Sequence, residues 1–275
     1  MRAWPIALIA LLALPFSLLA EERVVTIGGD ITEIVYALGA QQNLVARDST
    51  SLRPALATKL PDVGYMRQLN AEGILAMRPT LVLASELAKP SLALTQVEKA
   101  GVKVVTLTGK PELSVIPDKI RAVAQALHRE EEGRALSLKL EKQIAGLKKT
   151  PLPVKVLFIL NHTGMKAMGA GSGTAADGAI RSAGLVNALA AVPRYQPLTQ
   201  EGIVASAPQL VVIGRDGLRA MGAEEQLWSL PGLALTPAAR QHNLLVIDEM
   251  ALLGFGLETP AAIARLRKAA EAIRR

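Results

Sequence analysis

The sequence predicts an α/β fold: two related α/β lobes with mostly parallel sheets, joined by one long α-helix, with a ligand cleft between the lobes. Short apolar runs alternate with helical patterns on both sides of a central helical stretch, as is typical of a mostly parallel sheet. Part of the first lobe also recurs in the second. We therefore divide the chain into residues 1–20, a first lobe at 21–113, a connecting helix at 114–150 and a second lobe at 151–275.

Residues 1–20 have the outline of a secretory signal peptide. Arg2 supplies a short basic region, an apolar run follows from Pro5 to Leu19, and the small residue Ala20 precedes two glutamates. The apolar run is short for a membrane span and contains two prolines. We expect export, cleavage after Ala20, and a mature chain that is not embedded in the membrane.

The first lobe opens with an apolar run that ends in Gly28-Gly29-Asp30 and leads into a helical pattern closing at Gly39. Two further units each pair a helical pattern with a strand. The predicted strands are 24–27, 81–83 and 102–107, and the predicted helices are 31–38, 72–77 and 92–97.

The connecting helix is predicted over Asp118–Lys149, which contains no proline and only two glycines, Gly133 and Gly146. Apolar residues recur at helical spacing on either side of a charged centre. One helix of this length would span about 48 Å. Its two apolar stripes would lie about half a turn apart, so each end would pack on a different lobe. The alternative is two helices broken at Gly133, because an interior glycine destabilises a helix.

The second lobe repeats the alternation, with predicted strands at 154–160, 210–213 and 244–247 and helices at 176–189 and 260–274. Its segment 198–212 aligns without a gap on 69–83, and the two share Leu, Glu-Gly-Ile, Ala and Pro. Chance similarity of two βαβ units would explain the apolar positions but not these residues. We infer that the lobes are structurally related and hold a ligand in the cleft between them.

Composition narrows the classes of function. The chain has no cysteine and half of its residues are hydrophobic, so burial rather than disulfides must hold the exported protein together. The net charge is +7, but the basic residues are scattered and aromatic residues make up 3%. The stacking platforms of nucleic-acid-binding proteins are therefore missing, and we expect no nucleic-acid partner.

Catalytic motifs are also missing. The glycines of Gly171–Ala176 match a dinucleotide fingerprint only loosely and stand ten residues after the nearest preceding strand end. The glycines around Ser172 are wrongly spaced for the nucleophile elbow of a hydrolase. No Walker loop or His-Glu-x-x-His motif is present. We expect that the protein is not an enzyme.

The loop Pro61–Gln68 is the first candidate binding site, because it carries Tyr65. A phenol loses its proton near pH ~10, so a tyrosine ligand needs a site that favours the phenolate. Arg67 would favour it by charge and hydrogen bonding. Phenolate oxygen suits ferric iron, and tyrosine is a known ligand of haem iron. The alternative is a half-buried loop tyrosine that packs and bonds a carbonyl.

His162 is the second candidate. It directly follows the predicted strand 154–160, and ligands meet this kind of sheet at the ends of its parallel strands. A loop histidine bonded to backbone is the alternative. His128 lies in the charged part of the connecting helix and His242 precedes a strand, so we expect both in surface or capping roles.

Several stretches together resemble the periplasmic haem-binding proteins of bacterial haem-uptake ABC transporters: the exported start, Gly28–Ile34, Gly64–Leu75 and Asn161–Gly164. This family belongs to the wider class that carries siderophores and cobalamin. The similarity covers essentially the whole mature chain. The tyrosine stretch is its most specific part, since siderophore and cobalamin carriers share the fold but not that motif.

The resemblance implies a periplasmic, monomeric protein whose transported ligand is haem. By position, Tyr65 is the expected axial ligand of ferric haem, and Arg67 would stabilise the phenolate or reach a propionate. His162 would face the cleft from the second lobe, as a candidate ligand of the same haem or of a second one stacked beside it. A siderophore or cobalamin is the alternative cargo. A metal-ion carrier is a third reading, but it usually needs clustered histidines or carboxylates.

The resemblance also implies a membrane partner. Glu72 and Glu201 match the pair, one on each lobe, that family members use to dock on arginines of a permease dimer, which works with its ATPase. The alternative for each glutamate is a helix-start charge favoured by the helix dipole. We further expect Met66, Met168 and Met250 as candidates for the cleft wall, although methionine often fills cores.

Overall fold

The computed structural model describes residues 22–273. The predicted signal peptide, residues 1–20, lies outside the described residues. Within them, none of the helices combines the length and the apolar character needed to cross a bilayer.

The first lobe contains four strands and three α-helices. The strands are β1 (Val24–Ile27), β2 (Leu44–Arg47), β3 (Leu81–Ser85) and β4 (Lys103–Leu107), and the helices are α1 (Gly29–Ala37), α2 (Ala71–Ala76) and α3 (Leu92–Lys99). The sheet is parallel throughout, in the order β2-β1-β3-β4. Every residue of β1 and β3 is buried, as their mostly apolar runs predict for a parallel sheet covered on both faces. The three predicted strands and three predicted helices are confirmed, and β2 was not predicted.

The segment that connects the lobes forms two helices, α4 (Val115–Ala126) and α5 (Glu130–Ala145). The chain reverses at His128, whose φ is +54°. The helices then lie side by side, so that Ser137 Oγ donates to the carbonyl oxygen of Pro117 at 3.2 Å. The prediction of one long helix over 114–150 is therefore wrong, and the break lies at His128 rather than Gly133.

The reversal has a simple physical cause. Two apolar stripes half a turn apart would need two separate bodies to cover them if the helix continued. When the helix folds back, residues of both stripes enter one core, as Ile120, Val123 and Leu140 do. The intervening charged residues lie at the turn and on exposed faces, where water solvates them.

Gly133 permits the close approach of α5 to α4. A methyl group added at this position would lie 2.3 Å from Cβ of Ala124, closer than two carbons can approach. We expect Gly133→Ala to lower the free energy of unfolding by about 1–3 kcal/mol, as overpacked cores do, in urea denaturation. Gly146→Ala is the matched control, because its methyl would meet nothing nearer than 3.6 Å and its φ is −77°. Equal stability of the two variants would contradict this packing.

The second lobe is built on a mixed sheet. Its strands are β5 (Lys155–Leu160), β6 (Met168–Ala170), β7 (Val186–Asn187), β8 (Tyr195–Pro197), β9 (Leu210–Gly214) and β10 (Leu244–Ile247). The strand order is β10-β9-β5-β6-β8, with β7 also paired to β5. Strands β10, β9, β5 and β7 are parallel, whereas β6 is antiparallel to both of its neighbours.

Seven α-helices complete this lobe: α6 (Ala175–Ser182), α7 (Gln200–Ser206), α8 (Arg215–Met221), α9 (Glu224–Trp228), α10 (Pro237–Arg240), α11 (Glu249–Leu253) and α12 (Thr259–Ile273). The helix predicted at 176–189 stops at Ser182, because Gly184 takes φ +70° and the next residues pair with β5. The terminal helix is confirmed. One apolar core contains residues of β1, α4, β5 and α12, so it joins the two lobes.

The internal repeat is confirmed as two copies of one helix–strand unit, α2–β3 and α7–β9. Each helix begins after a side chain that accepts a backbone N–H, Asn70 in one copy and Thr199 in the other. Each is followed by a residue with positive φ, Arg78 or Ala207, and then by a proline. Both strands are buried throughout. The matching turns explain why the sequences align without a gap.

Candidate functional site

A cavity of about 570 Å³ lies between the two lobes, within the usual size of small-molecule sites. Its walls include residues that follow the carboxyl ends of β1, β2, β5, β9 and β10: Gly29, Asp30, Ser49, Thr50, His162, Arg215, Asp216, Asp248 and Glu249. Ligands meet parallel sheets at this edge. The cavity is therefore where the fold itself favours a binding site.

Tyr65 lines this cavity and is 44% exposed. Its loop is tied to the end of β2 by Asp62, which accepts hydrogen bonds from Arg47 Nη1 at 2.7 Å, Ser49 Oγ at 3.0 Å and the backbone N–H of Gly64 at 2.8 Å. Gly64 has φ +100°, a conformation that favours glycine directly before the tyrosine. The loop thus presents Tyr65 from a fixed backbone.

The other residues of the tyrosine stretch lie elsewhere. Arg67 is exposed and is not among the residues that line the cavity. Met66 is 8% exposed and packs in the core of the first lobe, and Met168 is half-buried in β6. The cavity wall therefore includes Met250 of the three methionines considered, but not Met66 or Met168.

His162 lines the same cavity from the second lobe. The preceding residue, Asn161, is buried and donates from Nδ2 to the carbonyl oxygen of Gly217 at 3.0 Å, which fixes the start of the loop. His162 Nε2 lies 3.5 Å from Glu249 Oε1. Burial raises the pKa of Glu249 above its usual range, and the nearby His162 opposes that shift. His162 and Tyr65 thus contribute to one cavity from opposite lobes.

Charged residues that were not predicted as site residues make up much of the rest of the wall. Three arginines and six carboxylates line the cavity: Arg53, Arg215, Arg219, Asp30, Glu33, Asp216, Asp248, Glu249 and Glu258. Five of the nine stand within three residues of the end of a parallel strand. Their position just after the carboxyl end of a parallel strand could have identified these five residues from the sequence.

Arg53 joins the two lobes across the cavity. Its guanidinium contacts Glu33 Oε1 of α1 through Nη2 at 2.7 Å and Nε at 2.8 Å, and Asp248 Oδ2 of the second lobe through Nη1 at 3.1 Å. A second connection lies beside the cavity, where the buried Lys119 of α4 pairs with Asp30 and donates to the carbonyl oxygen of Phe255 at 3.2 Å. Polar contacts thus connect the lobes both across the cavity, through Arg53, and beside it, through Lys119.

Glu33 has an unusual acidity. Burial raises the pKa of its carboxyl from 4.5 to about 7, and Arg53 opposes the shift. Between these two values the folded protein holds the proton more tightly than the unfolded chain, so ionisation of Glu33 lowers stability as the pH rises from 4.5 to about 7.

We expect Glu33→Gln to remove this pH-dependent component, which is at most about 3 kcal/mol by the conversion of pKa units to free energy. In urea unfolding, the stability of the variant relative to the wild type should therefore increase from pH 4.5 to 7. Glu98→Gln, an exposed change on α3, is the control. If the difference in unfolding free energy between Glu33→Gln and the wild type stayed constant across this pH range, burial would not raise the pKa of Glu33.

Glu72 and Glu201 lie outside the cavity wall, exposed in the first turns of α2 and α7. In a parallel α/β unit the helices run opposite to the strands, so a helix that precedes a strand begins at the carboxyl edge of the sheet. The cavity opens at the same edge. Each lobe thus offers one exposed glutamate on the side of the molecule that carries the cavity.

No group of three or more histidine, aspartate or glutamate side chains within residues 22–273 is arranged to hold a metal ion.

Solved structures of similar proteins cover nearly the whole chain. The periplasmic haem-binding protein RhuT from Roseiflexus sp. RS-1, in its apo form, is 37% identical with a TM-score of 0.87, over 93% of this chain and 100% of that one. The periplasmic haem-binding protein BhuT in complex with two haems is 40% identical with a TM-score of 0.85, over 92% and 99%. The periplasmic haem-binding protein HutB of Vibrio cholerae is 34% identical with a TM-score of 0.79, over 90% and 98%.

Similarity to curated proteins is more local. A vitamin B12-binding protein of Yersinia pestis (strain Pestoides F) is 38% identical over 103 residues, which is 38% of this chain and 36% of the relative. The match thus spans about a third of the length of the curated relatives. Residues 24–251, most of the chain, match the periplasmic binding protein family. The chain therefore belongs to the periplasmic binding protein family.

Proposed function

We propose that this protein is a periplasmic carrier that binds ferric haem in the cavity between its lobes and delivers it to an inner-membrane ABC permease. The observation that carries the proposal is that Tyr65 of the first lobe and His162 of the second line one cavity. Phenolate oxygen and imidazole nitrogen are both ligands that haem iron accepts. Similarity over nearly the whole chain to proteins described as haem-binding supports the same cargo.

Carboxylates outnumber arginines in the rest of the wall by six to three, but its apolar residues and its arginines can meet an amphipathic anion. Leu52, Met250 and Ala251 supply apolar surface for a porphyrin face, and Arg53, Arg215 and Arg219 supply charge for its propionates. Arg67, the expected partner of the phenolate, is not part of this wall. We therefore propose that the arginines of the cavity bind the propionates. Arg67 lies on the exposed side of the tyrosine loop, and we assign it no contact with the propionates.

In this proposal the protein acts as a monomer and carries out no catalytic step. Export would follow cleavage after Ala20, and the partners would be a permease dimer and its ATPase. Glu72 and Glu201, exposed at the ends of two equivalent helices, would dock on two equivalent sockets of that dimer.

Cobalamin is the second candidate cargo, because part of the chain matches vitamin B12-binding proteins. The deciding experiment is a visible-absorption titration of the purified protein with haemin, run beside cyanocobalamin and a ferric siderophore. Saturable binding of haemin with the spectrum of tyrosinate-bound ferric haem is the expected result, and its end point gives one haem or two. Saturation by cyanocobalamin or the siderophore without haemin binding would replace haem as the cargo.

A further inference from the structure

We propose that Arg53 anchors a carboxylate of the bound ligand. This carboxylate replaces Asp248 as the partner of Arg53 Nη1. This inference rests on the proposed function, because haem carries two propionate carboxylates. It makes Arg53 a residue that selects for carboxylate-bearing cargo.

The two contacts of Arg53 are unequal. Glu33 holds the Nη2 and Nε atoms at 2.7 and 2.8 Å with a side chain only 11% exposed, whereas Asp248 meets Nη1 at 3.1 Å and is 35% exposed. Both partners of the Asp248 contact are half-buried, and water reaches this contact more readily than the one with Glu33, so that water and salt screen it more. The Asp248 contact is therefore the one that a ligand can replace while Glu33 keeps the guanidinium in position.

Asp248 keeps another hydrogen bond when its contact with Arg53 is lost. Its Oδ1 atom accepts the backbone N–H of Ala251 at 3.0 Å, which caps the start of α11. The carboxylate thus keeps a hydrogen bond and contact with solvent after the exchange. Losing the pair leaves no buried, unpaired charge on the second lobe.

Arg53 is better prepared for this role than the other arginines of the wall. Arg219 is 78% exposed and pairs with Asp216 of its own helix, and Arg215 is exposed on the same helix. Arg53 is 29% exposed, and its planar fork is already oriented by Glu33. A group that is ordered before binding loses less entropy when the ligand arrives.

The Arg53–Asp248 pair also connects the two lobes. Within residues 22–273, Arg53–Asp248 is the only ion pair that joins residues 21–113 directly to residues 151–275. A carboxylate that takes Nη1 from Asp248 therefore replaces a contact between the lobes by a contact between lobe and ligand. The ligand then bridges the cleft in place of the protein's own ion pair.

The test compares haemin with haemin dimethyl ester, which keeps the iron and porphyrin but lacks both carboxylates. Arg53→Gln should weaken haemin binding by about 10- to 100-fold, as expected for loss of a hydrogen bond to a charged group, and leave ester binding unchanged. Asp248→Asn keeps a capping side chain but removes the competing charge. It should tighten haemin binding by about two- to fivefold, the size of an ion pair that water can reach, with no effect on the ester.

Arg121→Gln is the matched control, because this arginine forms exposed ion pairs with Asp118 and Glu141 away from the cavity. It should leave both affinities unchanged. Equal effects of Arg53→Gln on haemin and its ester, or weaker haemin binding by Asp248→Asn, would overturn this inference while haem binding by the wild type stood. A wild-type protein that binds no haemin would overturn the proposed function and this inference together.

Discussion

Tyr65→Phe is expected to weaken ferric haem binding by about 100-fold or more, since even residues that only orient a metal ligand cost 10- to 100-fold when they are replaced. The change removes one oxygen atom from a side chain that is 44% exposed, so the fold should be unaffected. The charge-transfer bands of tyrosinate-bound ferric haem should disappear in the same titration. Visible absorption and the thermal midpoint of the apoprotein measure both effects.

Tyr195→Phe is the matched control for this change. Tyr195 is half-buried in β8, is not among the residues that line the cavity, and burial raises the pKa of its phenol to about 12. It should therefore stay protonated at neutral pH, and its loss should leave the haem spectrum as it was. Unchanged haem affinity and spectrum in Tyr65→Phe would remove Tyr65 as the iron ligand and return it to a packing role.

The double change Glu72→Ala with Glu201→Ala is expected to abolish most haem delivery while sparing haem binding. Both side chains are exposed and lie outside the cavity wall, so neither should affect the cargo. Removing one member of a charge pair buried in an interface costs about 2–5 kcal/mol, so losing both sites should lower transport by at least tenfold. Uptake of haem by proteoliposomes that contain the permease and its ATPase measures delivery.

Each single variant should fall between the wild type and the double variant, because the two lobes would use equivalent sockets. Glu98→Ala with Glu225→Ala is the control pair, since these glutamates are also exposed, one on each lobe, but on other helices. Normal uptake with the Glu72 and Glu201 pair removed, or an equal loss with the control pair, would rule out the docking role.

The local pattern of the sequence was enough to identify most of the secondary structure. Strands such as Leu210–Gly214 begin with a continuous apolar run, and burial on both faces of a sheet requires such a run. The repeat could be identified as well, because the helix caps, the left-handed residues and the prolines of both copies are local features. Tyr65 and His162 were singled out as candidates from their loops, the resemblance gave them their roles as ligands, and those roles stay predictions.

Other features depend on contacts between distant parts of the chain. The helical pattern of 114–150 allows one helix or two, and the reversal at His128 is decided by the single core that both apolar stripes share. Arg53 lies in a loop, Glu33 in α1 and Asp248 at the end of β10, and they meet only because the two lobes pack around one cavity. Periodicity and spacing in sequence determine which residues a helix or strand buries. Only tertiary packing decides which charges from different lobes lie within hydrogen-bonding distance, since that distance depends on every element between them.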